Sequence, residues 1–233
     1  MENSKPRIRV GRAEMDFQHQ GRTLTAVHPF YGPANSLALL KQIRGTKKKP
    51  TGLVEPTAPE VVSFVQEYFN GDGFQAQEVT RMMRGNYVRG FTGILCDPAT
   101  QLVSFTERPT FNDSGVVDRD ALVKRVATGD FYSQVPFEHA IEGEIYWNKV
   151  AKHRYLIAWV GGQEGVEKLA ELVSRHPVKV AQLWVPSISS LTHPEARVAA
   201  LYSDRDGRLS VSDVGYGDGE GGCAFGRLKT LGE

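Results

Sequence analysis

The stretch "RVAALYSDRDGRLSVSDVGYGDGEGGCAFGRL", Arg197 to Leu228, decides how this chain is read. Asp206-Gly207 is one of the commonest hairpin-turn pairs, and it sits between two runs of strand-forming residues. After the turn, Leu209 and Val211 point to one side, and Arg208, Ser210 and Ser212 to the other. Before it, Val198, Ala200 and Tyr202 alternate with Arg197, Ala199 and Leu201. One face is apolar enough to pack. The other, with the turn and the loop to Gly222, collects Tyr, Ser, Asp, Arg and Gly. Of these, Tyr, Ser and Gly combine rigid amphipathic area with adaptable hydrogen bonding. "CAFGRL" then returns to apolar character as a final strand that anchors the loop. A polar loop clamped between packed strands is a common recognition surface.

The same acids admit a second reading. Aligned to a calcium-binding EF-hand loop, Gly207 is the turn glycine, Asp204 and Asp206 are ligands, Leu209 is the apolar eighth residue and Asp213 the twelfth. The first ligand position falls on Tyr202, which cannot serve, and the last is Asp rather than a bidentate Glu. The flanks read as strands rather than helices. A hairpin turn is the expectation, with a calcium-dependent module as the alternative.

The rest of the chain reads as mixed α and β. "RIRVGRAEMDFQHQGRTLTAVH" is an N-terminal hairpin around Gln20-Gly21. "SLALLKQIRG" is a short helix with Ser36 as cap and Gly45 as stop. In "PTAPEVVSFVQEYFNGDG", Thr57 and Glu60 form a capping box, and Val61, Phe64, Val65 and Tyr68 share a face. "YVRGFTGILCDPATQLVSFTERP" is a strand pair turning at Asp97-Pro98. "DRDALVKRVATG" and "QEGVEKLAELVSRHP" are helices, "HRYLIAWVGG" a buried strand, and "VKVAQLWVP" another strand. Helices fall between strand pairs without βαβ rhythm, which predicts an α+β fold with mostly antiparallel pairing and at least three helices. One domain, 1–233, is expected, with a soft internal boundary near 111–120.

The totals exclude several classes. The chain has 233 residues, 40% hydrophobic and 24% charged, with a formal net charge of +1, so bulk charge calls for no nucleic-acid partner. Cys96 and Cys223 are too few for a disulfide framework. No apolar run approaches about 18 residues, so no membrane span is expected. "MENSKPRIRVGRAEM" lacks the apolar core of a signal peptide, which leaves a cytoplasmic location as the default. The six histidines form no metal-binding spacing, and no nucleophile elbow or phosphate loop occurs. The glycines of "GGQEGVEKLAEL" precede a helix, but Glu164 and Glu167 repel an anion there, so a tight strand-to-helix turn is expected. No cofactor, metal or catalytic residue is assigned.

Four segments carry a resemblance: Gln163 to Leu172 ("QEGVEKLAEL"), Leu183-Trp184, Arg197 to Leu201 ("RVAAL") and Ala224 to Arg227 ("AFGR"). With the Thr57 helix and "RGFTGILCDP" upstream, this order resembles the variable target proteins of diversity-generating retroelements, as found in small-genome archaea and uncultured bacteria. The resemblance implies a C-type-lectin-like architecture, similar also to formylglycine-generating enzymes. It implies a non-enzymatic protein whose C-terminal surface is rewritten at adenine-derived codons, binding a macromolecular or small ligand, with protein the leading expectation. Carried over, the variable surface comprises Tyr202, Ser203, Asp204, Asp206, Arg208, Ser210, Ser212, Asp213, Tyr216 and Asp218. Trp184, Val198, Leu201, Leu209, Val211, Ala224 and Phe225 are then the scaffold. The chain departs from that pattern in "FEHAIEGEIYWNKVAKHRYLIAWVGG" and in a polar stretch without asparagine. An enzyme of unknown class on the same fold is a further alternative.

Overall fold

The computed structural model describes residues 7–9, 12–185, 188–214 and 222–230. The chain opens with strands β1 (Arg7–Arg9), β2 (Arg12–His19) and β3 (Arg22–Ala34), followed by helix α1 (Ser36–Arg44). Three short strands, β4 (Gly45–Thr46), β5 (Lys49–Pro50) and β6 (Leu53–Val54), lead to α2 (Ala58–Tyr68) and α3 (Phe74–Gly85). Strands β7 (Tyr87–Asp97) and β8 (Leu102–Glu107) then precede α4 (Arg119–Ala127). The middle holds β9 (Ser133–Pro136), β10 (Gly143–Tyr146), α5 (Trp147–Val150), α6 (Arg154–Trp159) and α7 (Gln163–Ser174). The chain finishes through β11 (Val180–Trp184), β12 (Glu195–Ser203), β13 (Leu209–Val214) and β14 (Gly222–Leu228).

One large sheet runs in the order β1-β2-β3-β14-β7-β12-β13-β11-β10, with β6 added to β14, β8 to β7 and β9 to β8. Pairing is antiparallel except for β11 with β13 and β14 with β7. The last strand lies between the N-terminal β3 and the central β7, so the two ends of the chain meet inside the sheet. This is the α+β, mostly antiparallel arrangement that the element pattern predicts.

The main core lies on one face of the sheet. Helices α2, α3, α6 and α7 bring Val61, Phe64, Val65, Val79, Met83, Leu156, Trp159, Leu169 and Leu172 against Phe17, Phe105, Leu183, Leu201, Leu209, Val211 and Phe225. Helix α2 is buried from Ala58 through Val65 rather than along one stripe. It approaches β7 so closely that a Cβ on Gly90 would lie 2.5 Å from Ala58 Cα, so only glycine fits there. The second face carries smaller clusters. Leu39 and Ile43 of α1 cover Val27, Phe91 and Ala224, and Leu122 of α4 covers Leu95, Ala196 and Val198. None of these clusters includes an outward residue of β13, β11 or β10.

Glu60 joins the helix system to the final strand. Its Oε2 accepts the Thr57 N–H at 2.7 Å, completing the capping box. Its Oε1 lies 2.9 Å from Arg227 Nε of β14, and both side chains are almost fully buried. Burial of two charges is tolerated only because each is partnered.

Several expectations are revised. "HRYLIAWVGG" forms helix α6 rather than a strand. Tyr155, Leu156, Ala158 and Trp159 are buried at helical spacing, and a short apolar run alone does not distinguish the two. The glycines of "GGQEG" therefore join two helices. The cap of α1 is Asn35, whose Oδ1 accepts the Ala38 N–H at 2.9 Å, rather than Ser36. Among the described residues no helix is long and apolar enough to cross a membrane.

The Glu60–Arg227 pair yields a quantitative expectation. Glu60→Ala leaves the Arg227 guanidinium buried without its carboxylate and removes the Glu60 half of the α2 capping box. Denaturant unfolding should show a loss of about 3–5 kcal/mol. A loss comparable to a surface substitution, under about 0.5 kcal/mol, would contradict this role.

Candidate functional site

The hairpin β12–β13 is built as its sequence dictates. Ser203 pairs with Leu209 across a turn in which the Gly207 N–H donates to the Asp204 carbonyl at 3.2 Å. Gly207 has φ +82, and a Cβ there would also press on Pro177 at 3.2 Å. The Asp204 carboxylate closes the turn. Its Oδ1 accepts the Arg208 N–H and its Oδ2 the Arg208 Nε–H, both at 2.8 Å. Arg208 also donates to Asp206 at 2.7 Å and to Glu144 of β10 at 2.8 Å. One guanidinium thus gathers three carboxylates, which ties the turn to the neighbouring edge of the sheet.

This wiring bears on the calcium alternative. Asp204 and Asp206 face Arg208, while Asp213 lies near the other end of the hairpin, opposite Ala199, and binds Arg197. The three carboxylates do not converge. Among the described residues no group of three His, Cys, Asp or Glu side chains is placed to hold a metal ion.

Strand alternation sorts the predicted surface residues into two sets. Leu209 and Val211 pack in the main core, so Asp213, on the same side, points inward, and so does Ser203, which follows Ala199 and Leu201. Both are buried, which removes them from an exposed surface. Ser203 Oγ lies 2.9 Å from His176 Nε2, whose other ring nitrogen lies 2.9 Å from the Leu172 carbonyl. That carbonyl can only accept, so Nδ1 carries the proton and Nε2 accepts from Ser203. The ring stacks on Phe69 at 4.5 Å.

Tyr202, Ser210 and Ser212 point outward. In register, Ser210 stands between Tyr202 of β12 and Gln182 of β11, and Ser212 between Ala200 and Trp184. Ser210 was expected to be exposed. It is 1% exposed, and its hydroxyl has no hydrogen-bond partner among the described residues. Tyr202 and Ser212 are half-buried, as are Asp204 and Arg208, and Asp206 is exposed. Tyr216 and Asp218 lie outside the described residues.

The structure adds residues that the sequence reading placed elsewhere or missed. Trp184, expected in the scaffold, is 44% exposed on this outer face, whereas Val198, Leu201, Leu209, Val211, Ala224 and Phe225 are buried as expected. Tyr87 of β7 meets Tyr202 edge-on at 4.4 Å. Arg89, buried beside it, lies 6.0 Å from the Tyr87 ring and opposite Ala200. Nothing in the local sequence announces that β7 and β12 are neighbours. The outer face therefore carries Tyr87, Tyr202, Ser212, Gln182, Trp184 and Glu144 above a continuous apolar backing.

Two serine–histidine contacts bear on catalysis. Besides Ser203–His176, Ser63 Oγ lies 3.0 Å from His19 Nδ1 and 3.4 Å from Lys168 Nζ. Both hydroxyls belong to buried side chains in helix-to-sheet contacts. Neither is on the outer face.

No protein-family model matches the chain, and no curated protein does. Among solved structures, the chain is similar to a C-type lectin fold that accommodates massive sequence variation in Nanoarchaeota. The likeness covers 83% of this chain and 94% of that one, with a TM-score of 0.56 and 13% sequence identity. The fold is thus C-type lectin-like.

Asp213 makes the inner side of the hairpin pH-sensitive. Its Oδ1 accepts from Arg197 Nη1 at 3.0 Å, Arg197 is shared with Glu195, and Oδ2 is buried with no hydrogen-bond partner among the described residues. Burial pushes this carboxyl from 3.8 up to about 7, against the pull of Arg197. The folded state keeps its proton where the unfolded chain has lost it, so this contribution to stability falls as pH rises from about 4 to about 7. Burial lowers His19, His153 and His176, whose contribution is present above about 6.5 and falls as pH drops below it. Asp213→Asn removes only the first contribution. Relative to wild type, the variant should gain stability as pH rises from about 4 to about 7 and hold a constant difference above that. Denaturant midpoints across pH check this, and a pH-independent difference would contradict it.

Proposed function

We propose that this chain is a non-enzymatic ligand-binding protein whose outer hairpin face is free to change, and that a diversity-generating retroelement does the changing. The observation that carries the reading is the separation of tasks within one hairpin. Ala199, Leu201, Leu209 and Val211 hold the core, while Tyr202, Asp204, Asp206, Arg208 and Ser212 stand on the outer face or in the turn. Tyr202, Asp206 and Ser212 can change without touching the packing of the first set, whereas Asp204 and Arg208 also close the turn. The likeness to a fold that accommodates massive sequence variation in Nanoarchaeota supports this reading. So does the burial of both serine–histidine pairs, which presents neither hydroxyl to a substrate. Rigid rings at Tyr87, Tyr202 and Trp184 with hydrogen-bonding groups between them suit a protein ligand.

Sequencing the locus across one population tests the proposal. Substitutions should cluster at Tyr202, Asp204, Asp206, Arg208, Ser212, Tyr216 and Asp218, and spare Ser203, Ser210 and Asp213. A reverse-transcriptase gene should lie nearby, with a near-copy of the codons for residues 184–228 differing at adenines. An invariant outer face, or substitutions spread evenly over buried and exposed positions, would overturn it.

A further inference from the structure

The exposed apolar side chains of this molecule are not scattered. Seven large hydrophobic residues are well exposed among the described ones, and five of them, Ile141, Tyr146, Trp147, Val178 and Trp184, lie on β10, β11 or their immediate flanks. Tyr146 is 60% exposed and Ile141 66%. Concentrated apolar exposure marks an interaction surface rather than ordinary scatter.

That patch surrounds the end of the sheet. β10 pairs with β11 on one side, and among the described residues no strand pairs with it on the other. Edge strands are usually guarded by proline, lysine or a bulge, because their open backbone groups accept another strand. β10 reads Gly-Glu-Ile-Tyr, and Trp147 follows it directly. The edge is guarded only by its shortness and by Glu144, which Arg208 engages, and aromatic surface flanks it.

Charge selects the occupant. The N-terminal approach to β10 carries Glu142, and the segment after it carries Lys149 and Lys152. All three are exposed and make no ion pair among the described residues. Acid at the start and base at the end is a pattern complementary to itself when two copies run antiparallel about a two-fold axis. We propose that β10 pairs antiparallel with β10 of a second copy of this chain. The pairing joins two sheets edge to edge, sets Glu142 of each copy towards Lys149 and Lys152 of the other, and covers Ile141, Tyr146 and Trp147. It also places two outer hairpin faces on one continuous sheet, so a repetitive ligand is held at two points.

Sedimentation of the full chain tests this. At concentrations on the order of 100 μM the wild type should sediment at twice the chain mass. Tyr146→Lys should sediment as a monomer and melt where the wild type melts when diluted to monomer, since the side chain is exposed and only the dimer's stabilisation is lost. Glu142→Arg and Lys149→Glu should each weaken the dimer about tenfold, through lost attraction and new repulsion at two symmetric contacts. Mixing these two variants should restore a heterodimer, because each then meets its opposite charge. A monomeric wild type overturns the proposal and leaves the edge to a different partner. A dimer indifferent to Tyr146→Lys places the contact elsewhere and overturns it too. Failure of the mixture to recover contradicts the antiparallel arrangement. These readouts are independent of whether the hairpin face varies.

Discussion

The buried contact between Glu60 and Arg227 is the constraint on which the rest of the structure depends. Glu60 caps helix α2 through the Thr57 N–H and holds the guanidinium of the last strand with its other oxygen. That strand lies between β3 and β7, so one carboxylate links the central helix, the N-terminal hairpin and the middle of the sheet. Two charges out of water are expensive, and an apolar pair of equal volume would often be as stable. What the ion pair adds is definition. An apolar strand can slide against a helix, whereas a guanidinium at 2.9 Å from a helix-capping carboxylate has one seat.

With β14 fixed, β7 and β12 follow, and the hairpin β12–β13 is placed between β7 and the outer strands β11 and β10. Its inner side chains join the main core and the inner polar ones are paired, Ser203 with His176 and Asp213 with Arg197. On the outer side, Ala196 and Val198 at the start of β12 pack under Leu122 of α4, while Tyr202 and Ser212 belong to no hydrophobic cluster among the described residues. Towards the turn of this hairpin, apolar burial is thus concentrated on one side of the sheet. The other side bears chemistry that can alter at little cost, because surface substitutions away from special features usually change stability by less than about 0.5 kcal/mol.

Much of this was legible in the sequence, for physical reasons that can be named. The capping box at Thr57 and Glu60 is local, and so is the Asp206-Gly207 turn. The alternation around that turn separates Leu209 and Val211 from Ser210 and Ser212. The partners were not legible. Arg227 is remote from Glu60 in the chain, and no pattern in "CAFGRL" marks its arginine for burial. Ser203 and Asp213 look like surface residues until His176 and Arg197 arrive from other elements. Trp184 looks like core by composition, yet its strand places it outward while Ala181 and Leu183 pack inward. Helix α6 was hidden because a short apolar run serves either structure. Helix α3 was hidden because its cap is Gly73, with no side-chain hydrogen bond to announce it.

The central claim is that one hairpin carries a fixed side and a changeable side. Saturation mutagenesis of residues 195–214, scored by resistance of each variant to proteolysis, tests it most directly. The account predicts that Ala199, Leu201, Ser203, Leu209 and Val211 tolerate few substitutions, while Tyr202, Asp206 and Ser212 tolerate most. Equal sensitivity on both sides of the strands, or a tolerant inner set, would contradict it.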